Sequence, residues 1–122
     1  MSTLNKFEEI LAWKKARVLV KRLYIAPNFN LFGTDFGLKD QTRRCGVSIM
    51  VNIAEGYGRR SKKEFANFLN IAHGSAAELQ SHLYIALDLG YIGPDLFQDF
   101  YQECEEISKM ILGFQNYLRK IK

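Results

Sequence analysis

The chain has 122 residues, 48% of them hydrophobic, and carries 17 Lys/Arg against 13 Asp/Glu for a net charge of +4. That length suits one domain with its own core, and the ordinary composition excludes a disordered or low-complexity chain. No apolar run reaches the roughly 18 residues of a membrane span and the opening MSTLNKFEEILAWKK lacks a secretory core, so a cytosolic protein without membrane contact is expected.

Only two prolines occur, Pro27 and Pro94, and each falls where a helical pattern stops or starts. Ile10, Trp13, Ala16, Val20 and Leu23 predict a first helix over 7–25, and Leu11, Val18 and Ile25 widen its apolar stripe beyond one face. The aromatic connection PNFNLFGTDFG follows. A second helix over 35–57 turns Leu38, Thr42, Cys45, Ile49 and Ile53 inward. A third over 62–89 does the same with Phe65, Phe68, Leu69, Ala72, Ala76, Leu79, Leu83, Ala86 and Leu87. The fourth, over 94–121, starts on Pro94, which suits a first helical turn. There Phe97, Phe100, Cys104, Ile107, Ile111, Phe114, Leu118 and Ile121 recur in alternating steps of three and four. No strand-like alternation competes. The expected fold is all-α, one domain over 1–122, an antiparallel up-and-down four-helix bundle. Cys45 and Cys104 sit on inward positions and read as buried reduced thiols rather than a disulfide or zinc framework.

Between the second and third helices lies NIAEGYGRRSKKEF, residues 52–65. GYG lacks the spacing of a phosphate-binding loop, and no strand precedes it. Gly56 or Gly58 is instead expected to take the left-handed conformation that ends a helix, and Ser61 to Glu64, SKKE, matches a capping box.

A capped corner does not need Arg59, Arg60, Lys62 and Lys63. Flexible cations beside Tyr57, with Arg43 on the side of helix two, suit a nucleic-acid backbone, and an aromatic ring can stack on an unpaired base. Lys14, Lys15, Arg17, Lys21 and Arg22 form a second basic cluster on helix one. Simple solvation of a charged face is the alternative. No helix-turn-helix, zinc finger, RNP sequence or KH loop points to base readout, so any binding is backbone-directed and salt-sensitive. Residues 1–63 hold 13 Lys/Arg and 5 Asp/Glu, whereas 64–122 hold 4 and 8. Such asymmetry fits a nucleic-acid surface or complementary faces that meet on assembly.

Helix two also carries a polar line, Gln41, Arg44, Ser48, Asn52 and Glu55, and helix three a second seam, Ile71, Ser75, Glu78, His82, Ile85 and Leu89. Folding the chain about Arg59–Arg60 brings Arg44 towards Ser75 and Glu78, and Ser48 towards Ile71. An Arg44–Glu78 contact is therefore expected, inside the bundle or at a subunit boundary, in a polar network that sets register or partner choice. Neither His73 nor His82 has a glutamate three residues before it, as a di-iron bundle requires. Ser75, Glu78 and His82 share one helix face, which should stop them pointing at one another as a nucleophile triad must. No catalytic residue, metal site or cofactor is expected.

The blocks GL..Q.RR, SI..NIAEG.GR, EF..FL.IA.GS..EL and LGYI, spread over 37–92, resemble the 23S rRNA intervening-sequence protein family, the S23-like four-helix bundle proteins. FEEILAWKKARVLVKRLY fits the family's first helix. Matching positions are Arg43, Arg44, Asn52, Glu55, Gly56, Gly58, Arg59, Ser75 and Glu78, which read mostly as helix packing and subunit contact. Cys45–Gly46 departs from the small residues usual there. The resemblance implies a bacterial bundle assembling as a ring-shaped homopentamer, with no catalytic residues to carry over. A related branch, the accessory protein of diversity-generating retroelements, implies a nucleic-acid-binding partner for a reverse transcriptase. The broadly apolar first helix and the extra seam on the third favour an oligomer independently. The expected function is a non-enzymatic homo-oligomer that binds RNA or DNA backbone through basic surfaces. The alternative is an assembly or adaptor protein working through protein contacts alone.

Overall fold

In the computed structural model residues 5–26 and 31–120 are described, so Pro27, at the expected end of the first helix, and Ile121, the expected last core residue, lie outside them. Four helices follow in order: α1 (Leu11–Ile25), α2 (Phe36–Tyr57), α3 (Lys62–Asp88) and α4 (Pro94–Lys120). Short 3-10 turns at Phe7–Glu9 and Leu31–Thr34 precede α1 and α2.

The starts of α2 and α3 follow from their caps. Asp35 accepts the Leu38 N–H at 3.1 Å, and Ser61 accepts the Glu64 N–H at 3.1 Å, which satisfies a donor the first turn would otherwise leave free. In α1 the sequence expectation fails by a turn. Ile10 is extended (φ −75°, ψ 122°) and breaks the run, leaving Phe7–Glu9 as a separate turn. That break lets Phe7 pack edge-on against Trp13 at 5.2 Å while Ile10 and Ala12 are both buried.

The expected left-handed glycine is at the other corner. Gly58 has a right-handed φ of −75°, Gly56 lies within α2, and only Gly90 among the described residues has a positive φ, 73°. Tyr91 N–H donates to Ala86 at 2.8 Å and Gly90 N–H to Leu87 at 3.0 Å. This is the Schellman arrangement, and it closes α3 at LGYI.

The helices form a ring of neighbours in which α1 touches α2 and α4, while α1 and α3 stand diagonally across the core. Neighbours run antiparallel. At one end of the α3–α4 seam Gln115 donates to the Ala66 carbonyl at 3.0 Å, and further along Gln80 donates to Glu105 at 2.9 Å. Across α1–α4, Lys15 meets Glu106 at 3.2 Å, and Arg22 meets Glu103 and Asp99. The core matches the expected stripes of α2, α3 and α4 closely. In α1, Ala12 and Leu19 are buried with Ile10, Ala16 and Leu23, whereas Trp13 and Val20 flank the core half-buried.

Gly56 has a packing role, not a turn role. A Cβ there would lie 2.8 Å from Phe65 Cδ1 and 2.8 Å from Phe68 Cβ, so its bareness lets α2 and α3 close together beside the corner. Gly56→Ala should lower stability by about 1–3 kcal/mol through overpacking, even though alanine recovers about 1 kcal/mol of helix propensity. At Gly46 the nearest obstacle is the terminal Leu23 Cδ1, 2.7 Å away, which can swing aside. Gly46→Ala should therefore stay within about 1 kcal/mol of the parent. Urea unfolding of the two variants side by side checks the contrast.

Candidate assembly and phosphate-binding surfaces

The C-terminal ends of α2 and α4 meet the start of α3 at one end of the bundle. Tyr57, Arg59, Arg60, Ser61, Lys62, Phe65 and Leu118 surround a shallow depression of about 170 Å³ there. Arg60 and Lys63 are exposed, and Arg119 and Lys120 close the last turn of α4 at the same end. Arg59 pairs with Glu55 at 3.0 Å and lies over the Phe68 ring at 4.6 Å, still with solvent access. Tyr57 is half-buried, edge-on to Phe65 at 6.2 Å, so its ring belongs to the core margin rather than to an open stacking platform. The corner is rigid as well as basic, because the Gly58 and Arg59 N–H groups bond back to α2 carbonyls.

The helix-one cluster divides in two. Lys15 and Arg22 clamp α1 to the acidic side of α4, and Arg22 also stacks on Phe100 at 4.7 Å. Arg43 donates to the Tyr24 carbonyl at 2.9 Å and lies over the Tyr24 ring at 4.5 Å, tying α2 to the end of α1. These three cations serve contacts within the chain. Part of the charge asymmetry between the two halves of the sequence is thus met where α4 lies beside α1. Lys14, Arg17 and Lys21 remain exposed on the far side of α1.

Around those three lies a second feature. Leu11, Val18 and Ile25 are 65%, 56% and 46% exposed, which places them on the outer surface of the bundle. With Lys14 and Lys21 between them they form an outward stripe in steps of three and four, the spacing of a helix that packs against another helix. On the diagonal helix α3, Ile71, Ile85 and Leu89 are also about half exposed, beside the exposed acids Glu78 and Asp88 and the small residues Gly74 and Ser81.

The polar line between α2 and α3 assembles only in part. Ser48 Oγ and Ser75 Oγ are 2.8 Å apart, and Asn52 donates to the Ser48 carbonyl at 2.8 Å. Glu55 turns to Arg59, four residues on at the corner beyond α2, and Gln41 is exposed. The expected Arg44–Glu78 contact does not form within the chain. Arg44 pairs with Asp40 at 2.8 Å, a hydrogen bond that raises its pKa, and Glu78 faces Cys45 and His82 instead. The register is one helical turn away from expectation because the chain folds back about Ser61–Lys62, not Arg59–Arg60. Burial, followed by the Glu78 charge, pushes the Cys45 thiol up to about 12. Burial does the same to Cys104, also to about 12.

Glu78 and His82 do face each other, Oε2 to Nε2 at 3.6 Å, contrary to the expectation that one shared face holds them apart. Ser75 turns to Ser48, so no hydroxyl–imidazole pair forms here. Cys45 is the residue that sequence reasoning did not bring to this cluster. Its partners are on another helix, and only the corrected register reveals it.

Among the described residues no helix is long and apolar enough to cross a membrane. No curated protein is significantly similar to the chain. A crystal structure of a protein of unknown function from the S23 ribosomal protein family, from Bacteroides thetaiotaomicron VPI-5482, superposes with a TM-score of 0.80 at 24% identity, covering 87% of this chain and 96% of that one. That likeness shows the four-helix fold. The family model described as 23S rRNA-intervening sequence protein matches residues 8–113, and on that match the chain belongs to this family.

Proposed function

We propose that this chain is a non-enzymatic bundle that assembles head to tail with copies of itself and binds nucleic-acid backbone through its basic end. The observation that carries the reading is the diagonal placement of two complementary outer stripes. The α1 stripe is apolar with lysines, the α3 stripe apolar with acids, and they face opposite directions. One copy's α1 can therefore cover the next copy's α3, burying apolar surface and opposing unlike charges. A contact between two different faces generates a ring when its rotation closes, which fits the homopentamer implied by the family resemblance.

The basic end supports the second half of the reading. Arg59, Arg60, Lys62 and Lys63 lie within five positions on a stiff corner, with Arg119 and Lys120 nearby, and rotation about a ring axis would multiply that patch. The Lys14, Arg17 and Lys21 side of α1 is taken up by assembly in this reading, so the corner is the main phosphate surface.

Light scattering together with binding to generic single- and double-stranded RNA and DNA, across a salt series, tests both halves. Support would be a mass several times that of one chain and an affinity falling log-linearly with salt, at about 0.9 per phosphate contact on duplex DNA. A monomer would sink the assembly. An intact oligomer without binding at low salt would sink the nucleic-acid half and leave an adaptor that works through protein contacts.

A further inference from the structure

We propose that Cys45, Glu78 and His82 form a site for one zinc-class divalent ion that pins α2 to α3. One ligand atom from each residue lies within 4.8 Å of the other two, although no spacing motif joins them in the sequence. Thiolate, imidazole and carboxylate together are the donor set that zinc takes, and three protein ligands with an open fourth position are a stable arrangement for it. The Glu78–His82 distance suits an ion better than a direct contact. Glu78 Oε2 and His82 Nε2 are 3.6 Å apart, beyond a good hydrogen bond. Two ligands on one tetrahedral zinc, with bonds of about 2.0–2.3 Å, stand about 3.4–3.7 Å apart. Closing the widest gap to that spacing needs about 1 Å of movement from side chains whose helices are already packed.

Two further observations point to an occupant. Neither ring nitrogen of His82 has a good hydrogen bond, Nδ1 lacking a partner and Nε2 standing 3.6 Å from Glu78, so the nitrogen that faces the carboxylate is available to an ion. Cys45 is buried at 5% exposure, yet it faces the Glu78 carboxylate across the α2–α3 seam. Without an ion the sulfur stays a protonated thiol hydrogen-bonded to Glu78, because a thiolate there would set two negative charges together. A divalent cation between them reverses that repulsion, and the thiol proton leaves to solvent as the sulfur–metal bond forms. In a free chain the exposed Glu78 leaves the fourth position open to water. The three ligands lie within a single chain, although Glu78 also belongs to the α3 stripe that the assembly proposed above would cover, so the titration is read together with the scattering mass.

The test uses the full chain, reduced and freed of metal by chelation, titrated with cobalt(II) alone and then with zinc(II). The expected result is a thiolate-to-cobalt charge-transfer absorption that saturates at one ion per chain and disappears as zinc displaces cobalt. Cys104→Ser should keep the band and Cys45→Ser should lose it. His82→Gln, at a mostly buried position, is checked for folding by circular dichroism and should weaken cobalt binding at least tenfold. Zinc should also raise the melting temperature of the parent and not of His82→Gln. The absence of a thiolate band at saturating cobalt would overturn the site, as would a band that survives Cys45→Ser or an affinity unchanged in His82→Gln. Should Cys45→Ser not fold, the His82→Gln comparison decides alone.

Discussion

Replacing Arg59, Arg60, Lys62 and Lys63 together with glutamine should collapse nucleic-acid affinity while leaving the bundle folded and assembled. Each cation taken off a phosphate removes about one unit from the slope of log affinity against log salt, so the variant's slope should be shallower by about three. Three is expected rather than four because Arg59 is partly engaged by Glu55 and the Phe68 ring. The structural cost is small on physical grounds. The exposed Arg59–Glu55 pair, one helical turn apart, contributes at most about 0.5 kcal/mol. Lys62 and Lys63 occupy the first turn of α3, where the positive end of the helix dipole disfavours cations, so their neutralisation is harmless or mildly stabilising. The Ser61 cap is untouched. Unaltered affinity would remove the corner as the phosphate surface, and a fall in oligomeric mass would turn it into an assembly contact.

The helices and three of the four core stripes are legible in the sequence because a 3.6-residue apolar period survives any packing detail. What the sequence does not show depends on contacts between helices. Gly56 looks like punctuation in the string EGYGRR, but its role is set by Phe65 and Phe68 on the next helix. Ile10 continues the helical pattern perfectly, and only the pull of both Ile10 and Ala12 into the core breaks it. Pairing Arg44 with Glu78 rests on a fold-back point misplaced by about two residues. A shift of that size displaces facing positions by a full helical turn, enough to exchange Glu78's partner for Cys45. Among the basic residues, composition shows where cations lie but not which of them meet acids. Lys15 and Arg22 differ from Lys14 and Lys21 only in facing α4, a distinction a single sequence does not carry.

Val18→Glu should convert the assembly to monomer. Val18 is the centre of the outward α1 stripe, and the bundle itself has little need of it, since it is 56% exposed. In a free chain the new carboxylate stands within a turn of Lys14, Lys21 and Arg22, favourable neighbours on a helix surface, so the fold should be kept. In the proposed assembly the same carboxylate would be buried against Ile71, Ile85 and the acids Glu78 and Asp88 of the next copy. Burying a carboxylate against apolar side chains and two like charges is unfavourable, and each 1.4 kcal/mol is a tenfold loss of affinity at every junction of the proposed assembly. The scattering mass should fall to that of one chain, 14.1 kDa. Ile71→Glu, on the opposite face, should do the same for the reciprocal reason. Mixing the two monomers then separates the possible geometries. In a head-to-tail contact the Ile71→Glu chain keeps a sound α1 and the Val18→Glu chain a sound α3, so the mixture should form a one-to-one dimer and stop there. If α1 instead packed against α1, Ile71→Glu alone would already be a dimer, and mixing would add nothing.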